Sequence, residues 1–475
     1  MTRIQRATLA VALVAATVMP AAAQRAAGPQ GGRLMDRQRP FGTLREQADR
    51  QQRWLETRLK TVLPSLMRRH GIDMWIVPMR EYNEDPVFSS LVSPTTFAAR
   101  RRTIYVLFDK CSSSGRTDPG DGSCVERIAL GGSSQGGVFD ARRSTKPVEA
   151  AVGGNQAELW GDEQWAALKA VVDERNPRVI GIDYSRVFAF TDGLSHGEYA
   201  GMTEALGTRW TARMKPAEEL PLQFIASRVA DEDAFYGQMQ QLVWELIGDM
   251  YSAKVIVPGK TKASDLVWWW RQKVNDLGLG TWFQPSIEVQ RAGMTEEQLG
   301  DDPVIQRGDV LHCDVGITAL RLNTDTQHMA YVLKVGETDA PAGLKQALAN
   351  GNALQDLVMA EIRPGRSGNE ILAAARAAMK ARGIDGTIYS HPIGMHGHGA
   401  GPLIGLWDYQ DGVPGRGDAK VTANMWFSIE LQATTPVPEW KGQAVRMALE
   451  EDMIVGTDGT SRWARGQQKK LWLVR

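Results

Sequence analysis

Asp314 and Asp325, eleven residues apart in the stretch from Gly308 to Val335, are the first residues whose type and spacing suggest chemistry. The stretch reads as a β-hairpin. With a turn near Ala319 and Leu320, the two aspartates stand opposite each other on neighbouring strands, where opposed Cβ atoms lie about 4.5 to 5.5 Å apart. Carboxylates that close repel unless a proton, a metal ion or a pair of ions sits between them. Aspartates near hairpin ends are also common in ordinary structure, so partners elsewhere in the chain decide the matter.

Three of the seven histidines fall between His391 and His398, in HPIGMHGHGAG. Packing alone does not account for such clustering, and glycines beside His398 let the backbone approach closely and expose the imidazole. Further on, MWFSIELQ alternates Phe427, Ile429 and Leu431 with Ser428, Glu430 and Gln432, and VRMALEEDMIV sets Glu450 in another apolar strand. A lone carboxylate in a half-buried strand is costly. The cost is relieved if Asp314, Asp325, Glu430 and Glu450 share cations around one histidine. Four carboxylates match two divalent ions, and oxygen ligands with one nitrogen suit manganese, zinc, cobalt or iron.

The ordered segments LHCDVG, NTDTQH, HGHGAG, FSIELQ and LEEDMIV resemble the catalytic domain of the pita-bread metallopeptidases, the family of methionine aminopeptidase, aminopeptidase P and prolidase. The resemblance covers residues from about 225 to the end. The α/β region before it is similar to the creatinase-type N-terminal domain of aminopeptidase P and prolidase. What the resemblance implies is a site of two divalent metal ions, manganese first among them, held by Asp314, Asp325, His398, Glu430 and Glu450, with Asp325 and Glu450 bridging. Glu430 would also shuttle the proton from the attacking water to the leaving amine, and the reaction would be hydrolysis of an amide bond near a peptide's N-terminus. A homodimer formed through the N-terminal domain is implied in the same way.

The departures from the family pattern concern the substrate more than the metal. A histidine is expected about seventeen residues before the first aspartate, where this chain has Glu297, and another about seven residues after the ligand histidine, where it has Gly405. His328 stands where an arginine often follows the second aspartate. His391 or His396 could take over a lost catalytic role, and an alternative alignment makes His396 the metal ligand. Three readings therefore stay open: an aminopeptidase P or prolidase type of peptidase, a metal-dependent hydrolase of another C–N bond, and a metal-binding protein without activity.

The elements that must position these residues follow from periodicity. Trp54, Leu55, Leu59, Val62, Leu63, Leu66 and Met67 recur at helical spacing up to Gly71. Strands are expected at Met74 to Val77, Thr103 to Phe108 and Val179 to Ile182, with a helix around Glu163 to Asp173. After the junction MKPAEELP, a long amphipathic helix runs through Phe235, Met239, Leu242, Leu246 and Met250, with Asp231, Glu232 and Asp233 at its positive end. Helices are expected at Ala342 to Ile362 and Ser367 to Arg382, the second opened by a Ser367/Glu370 capping box. The fold class is α+β, and the resemblance implies a C-terminal pita-bread domain, 219–475, preceded by a smaller α/β N-terminal domain, 46–218.

Lys+Arg and Asp+Glu both number 55, so neither nucleic acid nor an anionic membrane surface is expected as a partner; a peptide substrate is what the resemblance implies. Arg3 and Arg6 precede an apolar run and Ala21-Ala22-Ala23, the pattern of a signal peptide over 1–23, followed by a flexible leader over 24–45. Periplasmic or secreted location is expected, with no membrane association after cleavage. In that compartment Cys111 and Cys124 suit a disulfide, while Cys313 reads as a small buried hydrophobe.

Overall fold

The computed structural model describes residues 39–146 and 157–475, so the expected signal peptide over 1–23 and most of the expected leader lie outside the described residues. The first helix begins at Leu44, where Thr43 and Glu46 form a capping box, and continues to Arg69 through one π-helical segment at Arg58–Val62. Behind it stands a six-stranded sheet of β1 (Met74–Arg80), β2 (Arg102–Asp109), β3 (Val125–Leu130), β4 (Asp140–Arg142), β5 (Ile180–Ile182) and β6 (Met214–Pro216). Its spatial order is β4-β3-β2-β1-β5-β6. Periodicity points to three of these strands; β4 and β6 are three residues each with none of them buried, too short to show alternation. A Cys111–Cys124 disulfide ties the segment after β2 to the start of β3, and Cys313 is buried and free.

The long helix spans Ala230–Met250 and buries Phe235, Met239, Leu242, Leu246 and Met250. Beyond it lies a nine-stranded sheet built from β7 (Ser286–Gln290), β8 (Val310–Val315), β11 (Thr326–Val332), β12 (Asp385–Ile388), β13 (His391–Ile393), β14 (Trp426–Val437), β15 (Gln443–Val455), β16 (Ser461–Trp463) and β17 (Trp472–Val474). The small hairpin of β9 (Thr318–Ala319) and β10 (Leu322–Asn323) sits between β8 and β11. The helices Ala342–Glu361 and Gly368–Ala381 cover the outer face, and the Ser367/Glu370 capping box is formed. This is the expected α+β architecture. Of the three tryptophans in a row, Trp270 is fully buried and Trp268 is 64% exposed, so the run straddles a helix rather than forming one wall.

One expectation about the hairpin needs correction. The turn falls at Leu320 and Arg321, both in the left-handed region, one residue later than the sequence suggests. That shift moves the pairing by two: Asp314 faces Gln327, and Asp325 lies diagonally across on the same side. The aspartates still share a face because a two-residue shift preserves strand alternation.

Candidate metal centre

Four strands deliver the acidic side chains to one place. Asp314 comes from β8, Asp325 from the residue before β11, Glu430 from β14 and Glu450 from β15, where Glu430 and Glu450 are direct register partners. Ligand atoms of Asp314, Asp325 and Glu450 lie within 4.8 Å of one another, and so do those of His391, Glu430 and Glu450. The two groups share Glu450. Like charges directly opposed on neighbouring strands destabilise a sheet unless compensated.

The histidine among these carboxylates is His391. Its Nε2 stands 3.3 Å from Glu450, 3.8 Å from Asp325 and 3.8 Å from Glu430, is fully buried and has no hydrogen-bond partner, while Nδ1 lies 3.0 Å from the Pro392 carbonyl. A proton on Nδ1 donated to that carbonyl leaves Nε2 as a lone-pair donor facing the cluster. His398, expected as the ligand, lies at the rim: it reaches Asp325 and His391, its ring centroid is 4.7 Å from that of His391, and Nε2 contacts Tyr389 Oη at 3.2 Å. Seven residues separate His391 from His398, the spacing expected between ligand and substrate histidines. His396 joins none of the clusters; its ring packs on Phe190, 4.7 Å between centroids, beside Arg228.

Electrostatics mark the site as built for positive charge. Burial first, then the charge of Glu450, holds the carboxyls of Asp314, Asp325 and Glu430 well above their usual range. Burial would raise Glu450 too, but the adjacent His391 imidazole and hydrogen bonds from Ser428 and Gln327 outweigh it and keep Glu450 low. Partial burial and the neighbouring His391 draw His398 down to about 4, so it is neutral at pH 7. Asp314 Oδ1 and Asp325 Oδ1 are buried without a partner. Orphaned carboxylate oxygens converging with an orphaned imidazole nitrogen fit divalent cations of the Mn, Zn, Co or Fe kind.

Two further departures acquire a structural meaning. Glu297 is exposed in a short helix, Glu296–Leu299. Beside the cluster, Trp282 donates to the Thr324 carbonyl, contacts the His398 ring at 5.2 Å and lies so close over Gly397 that a Cβ there would overlap the indole. His328 points to the opposite sheet face from Gln327. Its Nδ1 accepts from Trp472 and its Nε2 donates to Glu451, which fits the lowering of its pKa to about 3 by burial. Position 328 thus serves the core and does not face substrate. Sequence reasoning also passed over Arg416, whose Nη2 is buried without a partner and whose charge reaches Tyr389 and His398.

The fold and the carboxylate–imidazole cluster together define a metal-dependent peptidase class. Residues 246–458 match the model of Metallopeptidase family M24, and this part of the chain is a pita-bread domain of that family. Among solved structures, the X-Pro aminopeptidase from Thermotoga maritima MSB8 is similar at 16% identity with a TM-score of 0.56, over 86% of this chain and 100% of that one. The Xaa-Pro dipeptidase from Bacillus anthracis is similar at 15% identity and TM-score 0.53, over 90% and 99%. The N-terminal domain of the FACT complex subunit SPT16 from Cicer arietinum (chickpea) is similar at 13% and 0.52, over 89% and 99%. At these identities the likeness speaks to fold, and it extends over both sheets. No curated protein sequence matches the chain.

Proposed function

We propose that the chain is an exported dinuclear metallopeptidase that hydrolyses the amide bond next to the N-terminal residue of short peptides, Xaa-Pro peptides among them. The observation that carries this reading is the buried, partnerless His391 Nε2 facing Asp325, Glu430 and Glu450, with Asp314 completing the acidic set. Asp314, Asp325 and Glu450 would hold one divalent ion, and His391, Glu430 and Glu450, with Asp325, the other. Ions bound there supply Lewis acidity toward water and the scissile carbonyl.

The chain's own groups do the rest. The Glu430 side chain is 22% exposed where that of Glu450 is 1%, so Glu430 is the carboxylate placed to take a proton from the attacking water and pass it to the leaving amine. Neutral His398, braced by Tyr389, presents a ring nitrogen at the rim for hydrogen bonding to the reacting amide. Arg416, with an uncommitted Nη2 near these two residues, suits the terminal carboxylate of a short peptide. Trp282 offers an apolar wall on the same side. Export is supported by the leader pattern and agrees with the disulfide.

The test is hydrolysis, with added Mn²⁺, of Xaa-Pro dipeptides, other dipeptides and their C-terminal amides. Turnover of free dipeptides well above that of the amides is expected. Metal binding without turnover of any peptide contradicts the peptidase reading.

A further inference from the structure

We propose that Gln327, held by His312, is a positioning residue that fixes Glu430 and Glu450 for metal binding, an inference that rests on the metal reading above. Gln327 lies opposite Asp314 in the register and is 5% exposed. Its Nε2 donates to Glu430 Oε1 at 2.8 Å and to Glu450 Oε2 at 2.9 Å. Its Oε1 accepts from His312 Nε2 at 3.0 Å, and His312 Nδ1 faces Glu288 at 3.1 Å, which Arg446 also engages.

This orientation is forced by donor and acceptor types. Carboxylates held ionised by bound cations only accept, so a reversed amide would then set its oxygen against two carboxylate oxygens. With Nε2 turned to the glutamates, Oε1 must face His312, whose Nε2 proton is thereby committed.

The amide engages one oxygen of each glutamate. The other two, Glu430 Oε2 and Glu450 Oε1, face His391 Nε2 at 3.8 and 3.3 Å, and Glu450 Oε1 also accepts from Ser428 Oγ at 2.6 Å. Gln327 therefore turns the second oxygen of each glutamate toward the side where the imidazole waits, Ser428 helping to hold that of Glu450. It also bridges two carboxylates that are direct register partners and would otherwise repel. A neutral donor does this without a charge that would compete with the cation, as a lysine or arginine would.

The experiment titrates chelator-stripped protein with MnCl₂ in a calorimeter. Gln327→Met keeps the length of the side chain and removes both donors; its Mn²⁺ dissociation constant is expected to rise about 10- to 100-fold. His312→Phe, which releases the amide and touches neither metal-facing glutamate, should raise it by a smaller factor, and the double variant should be no weaker than Gln327→Met alone. His312→Phe keeps the proposal testable if Gln327→Met does not fold, which a melting curve of the stripped protein shows. Affinities within twofold of wild type, or effects of the two substitutions that add, overturn the positioning role. Wild type that takes up no Mn²⁺ overturns the metal reading itself.

Discussion

At the scale of single residues, the site turns on which histidine stands among the carboxylates. His391 sits in β13 with its ring fully buried, whereas His398 is on the rim. The glycine-rich setting of His398 suggests an exposed ligand, whereas the structure sets buried His391 among Glu430 and Glu450 and groups His398 only with Asp325 and His391; no local pattern marks His391 for that place beyond its position before Pro392. The division of labour is testable. His398→Ala should keep the bound metal of the wild type while lowering kcat by about 10²-fold, the loss typical of one hydrogen-bonding group in a transition state. Loss of metal from this variant, measured by elemental analysis, would return His398 to the ligand set.

At the scale of elements, the hairpin that carries Asp314 and Asp325 also clasps the first sheet's domain. Arg321, at the tip, donates to the backbone carbonyls of Ser89, Val92, Ser93 and Thr96 at 3.0 to 3.2 Å. A planar guanidinium can satisfy several carbonyls at once, which an ammonium group cannot do as well. Arg321→Ala leaves these carbonyls without that donor and should cost about 2 to 4 kcal/mol in urea unfolding, with faster amide exchange around Ser89 to Thr96. An unchanged midpoint and exchange rate would mean the clasp contributes nothing. Long periodic elements were legible in the sequence, as the helix Ala230–Met250 and strands β14 and β15 show. The turn was not, because Leu320 and Arg321 adopt left-handed backbone without the glycine or asparagine that usually announces it. The faces of the aspartates survived that error because alternation tolerates a shift of two, whereas the place of Gln327 opposite Asp314 did not.

At the scale of the whole molecule, one apolar cluster runs from Leu55 and Trp75 through Phe224 to Leu354 and Phe427, so the two sheets share a core. Within the first sheet's domain lies a second carboxyl pair. Asp85 and Asp183 each bury an Oδ2 without another partner, and Trp75 donates to Asp183 Oδ1 at 2.6 Å. Burial raises Asp85 to about 6 and Asp183 further, the latter also through the charge of Asp85. Groups raised in this way bind more protons folded than unfolded. Their stabilisation is present in full below the unfolded carboxyl value and is lost as pH climbs through about 6 and beyond. Asp183→Asn mimics the protonated acid, so its stability should match wild type near pH 4 and exceed it by about 1 to 2 kcal/mol at pH 8. Equal melting curves for the two proteins at pH 8 would contradict a shared proton. For the central claim, that His391 and four carboxylates hold two divalent ions, the most direct measurement is the metal content of Mn²⁺-loaded, desalted protein beside His391→Ala. The account predicts two equivalents per chain in the wild type and at most one in the variant. Wild-type protein without stoichiometric metal, or a variant that retains both ions, would contradict it.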